Sequence, residues 1–316
     1  MTRIITVTPN PAVDVTYHVA GVTPGGSHRV QSPQSRAGGK GINVARVAHQ
    51  LGHSVLAIAP CGGSAGVEFA TEIAASGVPH RLVPVEAPMR RSVAVVDTAS
   101  GQTTIFNEAG APLQQEDWRA LAAAVVESLG ADDGQLPGAL VGSGSLPPVA
   151  PADFYPSLVA LARMAGVPAV IDTSGPGILA AASAGADLLK PNSDELLEAT
   201  GEANRVLAAR QLLALGARRV LVSAGEEGML LFDAASPGHC LTARLPEPLA
   251  GNPTGAGDAA VAAAAVALAA HSDAASLLRA ATAWSAAAVL MPAAGEVSAS
   301  YAELESQLVL SRKDIA

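Results

Sequence analysis

Aromatic residues and positive charge are both scarce in this chain of 316 residues. Aromatic side chains make up 3% of it, and 19 Lys and Arg residues stand against 28 Asp and Glu residues, a formal net charge of −9. A nucleic acid-binding surface needs a basic stripe for the phosphate backbone and aromatic platforms for unpaired bases. The composition therefore argues against a nucleic acid partner and leaves small anions, which a few placed cations can bind.

Long apolar segments and cysteine pairs are also missing. The longest apolar run, Ala259 to Ala270, is too short for a bilayer, which takes about 20 residues. The first residues carry one cation, Arg3, and no long apolar stretch, which indicates a strand rather than a signal peptide. The two cysteines, Cys61 and Cys240, lie far apart and make no disulfide framework. We expect free thiols, no membrane partner and a cytoplasmic location.

Apolar β-rich segments alternate with helical patterns through most of the chain. Ile4–Val7 predicts a strand, Ile42–Leu51 a helix and Ser54–Ala59 the next strand, and the same rhythm continues to a strand at Arg219–Ser223. This alternation predicts an α/β fold, a doubly wound and mostly parallel sheet with helices on both faces, in one domain over residues 1–316. Ligands of such folds bind beyond the carboxyl ends of the strands.

Two stretches break this rhythm, because they predict strands with no helix between them. They are Asp14–Val30 and Arg91–Phe106, the second folding back as a hairpin. We expect a small sheet contributed by about 12–32 and 89–108, either a lid over a ligand site or an extension of the sheet edge. Residues 131–137 predict a surface loop.

Near the C-terminus, the segment Asn252-Pro-Thr-Gly-Ala-Gly-Asp258 precedes a long alanine-rich helical pattern. It places the backbone N–H groups of Gly255, Ala256 and Gly257 at a helix N-terminus, where free amides and the helix dipole bind anions. Asp258 is either a favourable first-turn charge or a base that takes a proton from a hydroxyl while the amides hold a phosphoryl group.

A second glycine-rich segment, Arg36-Ala-Gly-Gly-Lys-Gly-Ile-Asn43, also precedes a helix. Gly38 and Gly39 allow a ligand to approach the backbone closely. The spacing does not match a Walker A loop, because Lys40 is followed by glycine. Lys40 is either a phosphate contact or a solvated loop lysine. Asn43 is either a near-cap residue or a polar contact for sugar hydroxyls.

Three further segments leave predicted strands. After the first strand, two prolines stiffen the chain before Asp14, which is either a turn residue or an acceptor for two sugar hydroxyls. In Leu189-Lys-Pro-Asn-Ser-Asp-Glu195, the spacing of Asn192 and Glu195 fits both a capping box and water-mediated contact with Mg²⁺ and nucleotide phosphate. Val222-Ser-Ala-Gly-Glu-Glu-Gly228 predicts a turn between strands.

Taken in order, these segments resemble the ribokinase-like (PfkB) carbohydrate kinases over nearly the whole chain. The similarity is to the branch containing 1-phosphofructokinase, tagatose-6-phosphate kinase and the minor ATP-dependent 6-phosphofructokinase. Each segment is weak alone, but five in the same order are specific. They are Thr8-Pro-Asn-Pro-Ala-Val-Asp14, Gly38-Gly-Lys-Gly-Ile-Asn-Val-Ala-Arg46, Ser143-Gly-Ser-Leu-Pro147, Lys190-Pro-Asn-Ser-Asp-Glu195 and Thr254-Gly-Ala-Gly-Asp258.

The resemblance implies a role for each matching position. It implies a ribokinase-like kinase domain with a β lid, ATP and Mg²⁺ as cofactors, and a homodimer through the lid. Asp258 is implied as the base, and the amides of Gly255, Ala256 and Gly257 as the anion hole. Around the sugar the implied residues are Asp14, Gly38, Gly39, Asn43 and Ser143. Around ATP and Mg²⁺ they are Lys190, Asn192, Glu195, Ser223, Gly225 and Gly228, with Asn192 and Glu195 reaching the metal through water.

A sugar that already carries a phosphate requires a cationic pocket. Arg90 matches the arginine that this branch places at the start of a lid strand, and Arg29 and Lys40 are candidates to complete the pocket. Many 1-phosphofructokinases have Thr-Arg-x-Asn-x-Lys here, whereas this chain reads Met89-Arg-Arg-Ser-Val-Ala94, with Ser92 in place of Asn. The expected acceptor is fructose 1-phosphate, fructose 6-phosphate or tagatose 6-phosphate.

Two other functions stay open at the level of sequence. One is a kinase for an unphosphorylated sugar or nucleoside, for which Arg29 and Arg90 would point to solvent. The other is a catalytically silent sugar-phosphate sensor on the same scaffold, which would have no need of a base at the anion hole.

Overall fold

The computed structural model of the chain describes residues 2–130 and 134–315, which form two sheets and the helices around them. The strands are β1 (Arg3–Val7), β2 (Ala12–Val19), β3 (Gln34–Gly38), β4 (Val55–Cys61), β5 (His80–Pro84), β6 (Arg90–Asp97), β7 (Thr103–Asn107), β8 (Pro137–Ser143), β9 (Ala169–Asp172), β10 (Leu188–Leu189), β11 (Arg219–Ser223), β12 (Met229–Asp233), β13 (His239–Arg244) and β14 (Val309–Asp314).

The helices follow most of the strands of the larger sheet. They are α1 (Lys40–Gln50), α2 (Gly63–Ala75), α3 (Gln115–Leu129), α4 (Phe154–Met164), α5 (Pro176–Ser183), α6 (Ser193–Thr200), α7 (Arg205–Leu215), α8 (Ala256–Ala269), α9 (Ala274–Val289) and α10 (Tyr301–Gln307). In the part of the chain that the structure describes, no helix has the length and apolar character needed to cross a membrane.

The larger sheet has the order β14-β13-β12-β11-β10-β9-β8-β1-β4-β5. From β5 to β11 the neighbouring strands are parallel, and from β11 to β14 they are antiparallel. The chain moves outward from β1 in one direction through β4 and β5, and later in the other through β8 to β11. This reversal makes the gap between β1 and β8 the switch point, where doubly wound folds bind their ligands.

Two apolar clusters cover the two faces of this sheet. One contains residues of α1, α2, α8 and α9, and the other contains residues of α3 to α7. Helix α8 is almost all alanine and valine, and Ala259–Ala265 are at most 1% exposed. Small side chains let this helix pack closely against α1, α9 and the strands, because interiors are filled to crystal-like density.

The smaller sheet has the order β3-β2-β6-β7. Strand β2 pairs with β3 in antiparallel register and with β6 in parallel register, and β6 and β7 form the predicted hairpin. Strand β3 lies outside the ranges expected for this sheet, in residues that the sequence analysis placed in a glycine-rich loop. Most of 20–33 is irregular rather than strand.

The predicted doubly wound architecture is confirmed, and the differences are local. Helix α5 was not predicted, because its Gly175-Pro-Gly177 start is typical of a loop, although Pro is favourable in a first turn. The antiparallel edge β12 to β14 was also not predicted, because those strands are joined by turns and follow no βα rhythm. Of the predicted loop at 131–137, residues 131–133 lie outside the described residues. Both cysteines are free.

Candidate active site

A cavity of about 1240 Å³ opens at the carboxyl ends of the parallel strands and continues beneath the smaller sheet. Most of the residues that the sequence singled out line it. They are Asp14, Gly39, Lys40, Asn43, Arg90, Lys190, Asn192, Glu195, Ser223, Gly225, Gly228, Gly255, Ala256, Gly257 and Asp258.

Three expected site residues do not line the cavity. Gly38 lies behind Asp14, where a Cβ would stand 1.9 Å from the Asp14 carboxylate, so its missing side chain makes room for that carboxylate. Ser143 is fully buried and donates its hydroxyl to Asp172 at 2.9 Å, whereas its neighbour Ser145 does line the cavity. Arg29 is exposed in the segment between β2 and β3. Ser143 therefore supports a carboxylate and does not face a ligand.

Asp258 lies in the first turn of α8 and is 7% exposed. Its Oδ2 accepts a hydrogen bond of 2.8 Å from Asn43 Nδ2, so α1 orients the carboxylate that α8 carries. Burial, together with the nearby Asp172 charge, raises the pKa of Asp258 to about 7, while Lys40 and the Asn43 hydrogen bond lower it. A carboxylate with a pKa near neutrality suits proton transfer at physiological pH.

The helix end beside Asp258 offers free backbone donors. Gly255 adopts φ 85°, and a Cβ there would stand 2.7 Å from the backbone of Ala294, so only glycine fits this close approach. The Ala256 N–H donates to the Pro253 carbonyl at 3.2 Å. The N–H groups of Gly255 and Gly257 have no acceptor within residues 2–130 and 134–315. Two of the three amides expected to form an anion hole are therefore available.

Asp172 is the main site residue that the sequence analysis did not identify. It ends β9, is completely buried, and has Lys190 Nζ at 3.4 Å and Lys40 Nζ at 3.5 Å. Burial raises the pKa of Asp172, but the two lysines and Ser143 outweigh it and hold the pKa below its usual value. A carboxylate that ends a strand at the ligand-binding edge of the sheet was the available signal.

The β10–α6 connection carries the predicted capping box. Asn192 Oδ1 accepts from the Glu195 N–H at 2.8 Å, and Glu195 Oε2 accepts from the Asn192 N–H at 2.9 Å. The other oxygen, Glu195 Oε1, lies 3.7 Å from Lys40 Nζ. The predicted capping box is therefore present. It leaves Glu195 Oε1 near Lys40, which also contacts Asp172.

The carboxylate oxygens of Glu195 and Asp172 are the candidate ligands for a metal ion. No cluster of three or more acidic, His or Cys side chains that could hold an ion occurs in the described part of the chain. Glu195 and Asp172 both reach the same lysine, and carboxylate oxygens are what Mg²⁺ prefers when it keeps several waters and is shared with phosphates. Two carboxylates suit an ion that is bound together with a nucleotide, and they are too few to hold an ion by themselves.

At the other end of the cavity, Arg90 begins β6. Its Nε donates to the Asn10 carbonyl at 3.1 Å and its Nη1 to the Glu108 carbonyl at 3.3 Å. Burial raises the pKa of Asp14 to about 6, although Arg90 lowers it. This end therefore combines a fixed cation with a carboxylate acceptor. A separate apolar wall, suited to a flat ring, lies beside the β11–β12 turn and is formed by Leu245, Pro248, Leu249, Ala286 and Val289.

Arg46, the last residue of the second motif, joins the smaller sheet to the larger one. It is 7% exposed and donates to the Ala37 carbonyl and to Glu72 of α2. Glu72 also accepts from the Ala37 N–H at 2.7 Å. The pair therefore fixes both backbone groups of Ala37, the residue before Gly38. On the far face of β6, Arg91 pairs with Glu68 at 2.8 Å and does not enter the cavity.

Comparisons with known proteins identify this arrangement. The sequence model of the pfkB family carbohydrate kinases matches residues 8–300, and the chain belongs to that family. It is an ATP-dependent enzyme of the sugar kinase class, as its relatives' names indicate.

Relatives with curated names include phosphofructokinases. The chain is 37% identical over 276 residues to 1-phosphofructokinase of Xanthomonas campestris pv. campestris, covering 84% of each chain. It is 37% identical over 242 residues to ATP-dependent 6-phosphofructokinase isozyme 2 of Mycobacterium tuberculosis, covering 72% of this chain and 68% of the relative. The crystal structure of phosphofructokinase-2 from Escherichia coli in complex with fructose-6-phosphate matches with TM-score 0.85 and 32% identity, over 97% of this chain and 99% of that chain.

The raised pKa of Asp258 predicts a pH profile. If its ionised form accepts the acceptor's proton, kcat/KM rises with pH up to about 7 and levels off above it. In Asp172→Asn the negative charge that raises this pKa is gone, so the inflection moves to lower pH. Steady-state kinetics across pH measure both curves. An inflection that stays in place in Asp172→Asn would contradict the electrostatic coupling.

Proposed function

We propose that this chain transfers the terminal phosphoryl group of ATP to a hydroxyl of a ketohexose phosphate, giving the bisphosphate. The candidate acceptors are fructose 1-phosphate, fructose 6-phosphate and tagatose 6-phosphate. The observation that carries the proposal is one cavity with Asp258 and free amides at the α8 end and Arg90 at the other. Relatives named 1-phosphofructokinase and 6-phosphofructokinase isozyme 2 support it. ATP and sugar phosphates are cytoplasmic metabolites, so we place the reaction in the cytoplasm, which cell fractionation tests.

The residues of the chain divide the work of the reaction. Asp258 accepts the proton of the attacking hydroxyl, and Asn43 keeps the carboxylate turned toward that hydroxyl. The Gly255 and Gly257 amides donate to the phosphoryl oxygens as charge shifts, and one such donor is worth about 3–4 kcal/mol in a transition state. Asp14 accepts from sugar hydroxyls, and Arg90 binds the phosphate that the acceptor already carries.

The nucleotide occupies the side of the cavity near α6 and the β11–β12 turn. Ser223, Gly225 and Gly228 line that side. Lys190 is 4% exposed, and its charge is directed by Asp172 toward the first turn of α8, where a Cβ on Gly257 would lie 3.2 Å from Nζ. Mg²⁺ bound with ATP would supply charge neutralisation of the phosphates, and Asn192, Glu195 and Asp172 are the residues that would hold its waters.

The function is tested by ADP release from Mg-ATP against fructose 1-phosphate, fructose 6-phosphate, tagatose 6-phosphate, fructose, ribose and adenosine. Turnover is expected with a phosphorylated ketohexose, and chelation of Mg²⁺ should abolish it. Asp258→Asn should lower kcat by about 10²–10⁴-fold with little change in KM, because a base acts only in the transition state. Turnover only with unphosphorylated acceptors would overturn the substrate class, and unchanged kcat in Asp258→Asn would overturn the base.

Arg90→Ala tests where the acceptor's phosphate binds. Losing one charged hydrogen-bond donor is worth about 1.5–3 kcal/mol, so KM for the sugar phosphate should rise about tenfold or more while KM for ATP stays the same. Arg91→Ala is the matched control, because this neighbouring arginine lies on the other face of β6 and pairs with Glu68. Equal effects of the two substitutions would contradict the pocket assignment.

We further propose that two copies of the chain pair through the smaller sheet. Every residue of β7 is exposed, with Phe106 at 61% and Ile105 at 42%. Exposed Arg29, which does not reach the cavity of its own chain, would then be available to the cavity of the second copy. Sedimentation velocity should show a dimer for the native chain and a monomer for Phe106→Glu. A native monomer at micromolar concentration would contradict the proposal.

A further inference from the structure

Asn107, the last residue of β7, lies in the wall of the active-site cavity. Its cross-strand partner is Ser92 of β6, and cross-strand partners project from the same face of a sheet. Arg90, two residues before Ser92, projects from that face as well, and all three line the cavity. Asn107 therefore stands beside the cation that the proposed acceptor requires.

Ser92 sets the direction of the Asn107 side chain. Its hydroxyl donates to Asn107 Oδ1 at 2.8 Å, which occupies the acceptor end of the amide. The other end, Nδ2, carries two N–H donors. Within the two described stretches, 2–130 and 134–315, no protein acceptor receives a hydrogen bond from Nδ2. A polar group with donors to spare, held at a cavity wall, is suited to a ligand oxygen.

The backbone on the C-terminal side of Asn107 is held in place. The Glu108 carbonyl accepts from Arg90 Nη1, and the Glu108 carboxylate accepts from the Arg91 N–H at 2.8 Å. The Ala109 carbonyl accepts from Asn10 Nδ2 at 3.0 Å. An anchored backbone and a fixed amide lose little conformational entropy when a ligand binds, which favours affinity.

Arg90 donates two hydrogen bonds to the protein, from Nε to the Asn10 carbonyl and from Nη1 to the Glu108 carbonyl. Within the described residues three of its five N–H groups have no protein acceptor, one on Nη1 and two on Nη2, and these three do not fill all the acceptor sites on the oxygens of a phosphate. We propose that Asn107 is a specificity-determining residue, whose Nδ2 donates to an oxygen of the acceptor's phosphate alongside Arg90. This inference rests on the proposed function and assigns a second donor to its phosphate end.

The sequence departure at Ser92 has an explanation in this geometry. Many 1-phosphofructokinases have an Asn at that position, and in this chain an Asn stands directly across the strand pair from it. Ser92 orients the amide of Asn107 rather than supplying an amide itself. The cavity face of the smaller sheet therefore carries an amide donor on β7.

Three variants test this inference by steady-state kinetics with the sugar phosphate that the chain turns over. Asn107→Ser should raise KM for the sugar phosphate about tenfold, the effect of one lost hydrogen bond to a charged group, with kcat and KM for ATP little changed. Asn107→Asp keeps the shape and the bond to Ser92 but places a carboxylate against the phosphate. It should raise that KM about 30-fold or more, because the added carboxylate repels the phosphate beyond the loss of the hydrogen bond.

The third variant exchanges the two side chains. Ser92→Asn combined with Asn107→Ser returns an amide to the same face from the opposite strand, so KM for the sugar phosphate should recover to within about threefold of the native value. Melting temperatures identify any variant that fails to fold. If Asn107 had only a structural role, the exchange would not restore KM for the sugar phosphate.

The outcomes separate this inference from the proposed function. A native chain that turns over a sugar phosphate, with Asn107→Ser unaffected, would overturn the role of Asn107 and leave the function standing. An Asn107→Asp variant no worse than Asn107→Ser would overturn the phosphate as its partner, since a sugar hydroxyl can donate to a carboxylate. A native chain inactive on every sugar phosphate would overturn both.

Discussion

The buried Asp172 carboxylate, held between Lys40 and Lys190, is the interaction on which the active site depends. Burying an ionised carboxylate away from water costs free energy unless cations pair with it. The ionised form of Asp172 therefore depends on both lysines. Its charge in turn raises the pKa of Asp258, which has no cation of its own within ion-pair distance in the described chain. One carboxylate thus holds two lysines in the cavity and adds to the burial that raises the pKa of Asp258.

The acceptor end depends on a second charged contact, between Arg46 of α1 and Glu72 of α2. Together they bind both backbone groups of Ala37, so strand β3 is fixed to helices that pack on the larger sheet. The next residue, Gly38, leaves the space that the Asp14 carboxylate occupies. The position of the Asp14 carboxylate in the smaller sheet therefore depends on two helices that pack on the larger sheet.

The fold and most of the residues that line the cavity could be predicted from sequence patterns. The residues that were missed or misplaced have physical explanations. Asp258 and Asn43 were identified because each lies in the first turn of a helix that follows a glycine-rich segment, and the fold brings them into contact. Asp172 was not identified, because its importance comes from lysines 132 and 18 residues away in sequence. Ser143 was placed at the ligand, but its hydroxyl binds buried Asp172, and it is Ser145, two residues further along, that lines the cavity. Asn107 was not identified, because a cross-strand partner is visible only once register is known.

The alanine-rich helix α8 has a consequence for how such an enzyme can change over generations. Its first turn carries the chemistry, and its body is packed so tightly that larger side chains would cost about 1–3 kcal/mol each. Every residue of β7 is exposed, and substitutions at exposed positions usually change stability by about 0.5 kcal/mol or less. Under the proposed function, substitutions destabilise the chain less beside the acceptor than in the helix that carries Asp258, so a lineage built on this scaffold can change its sugar while it retains its reaction.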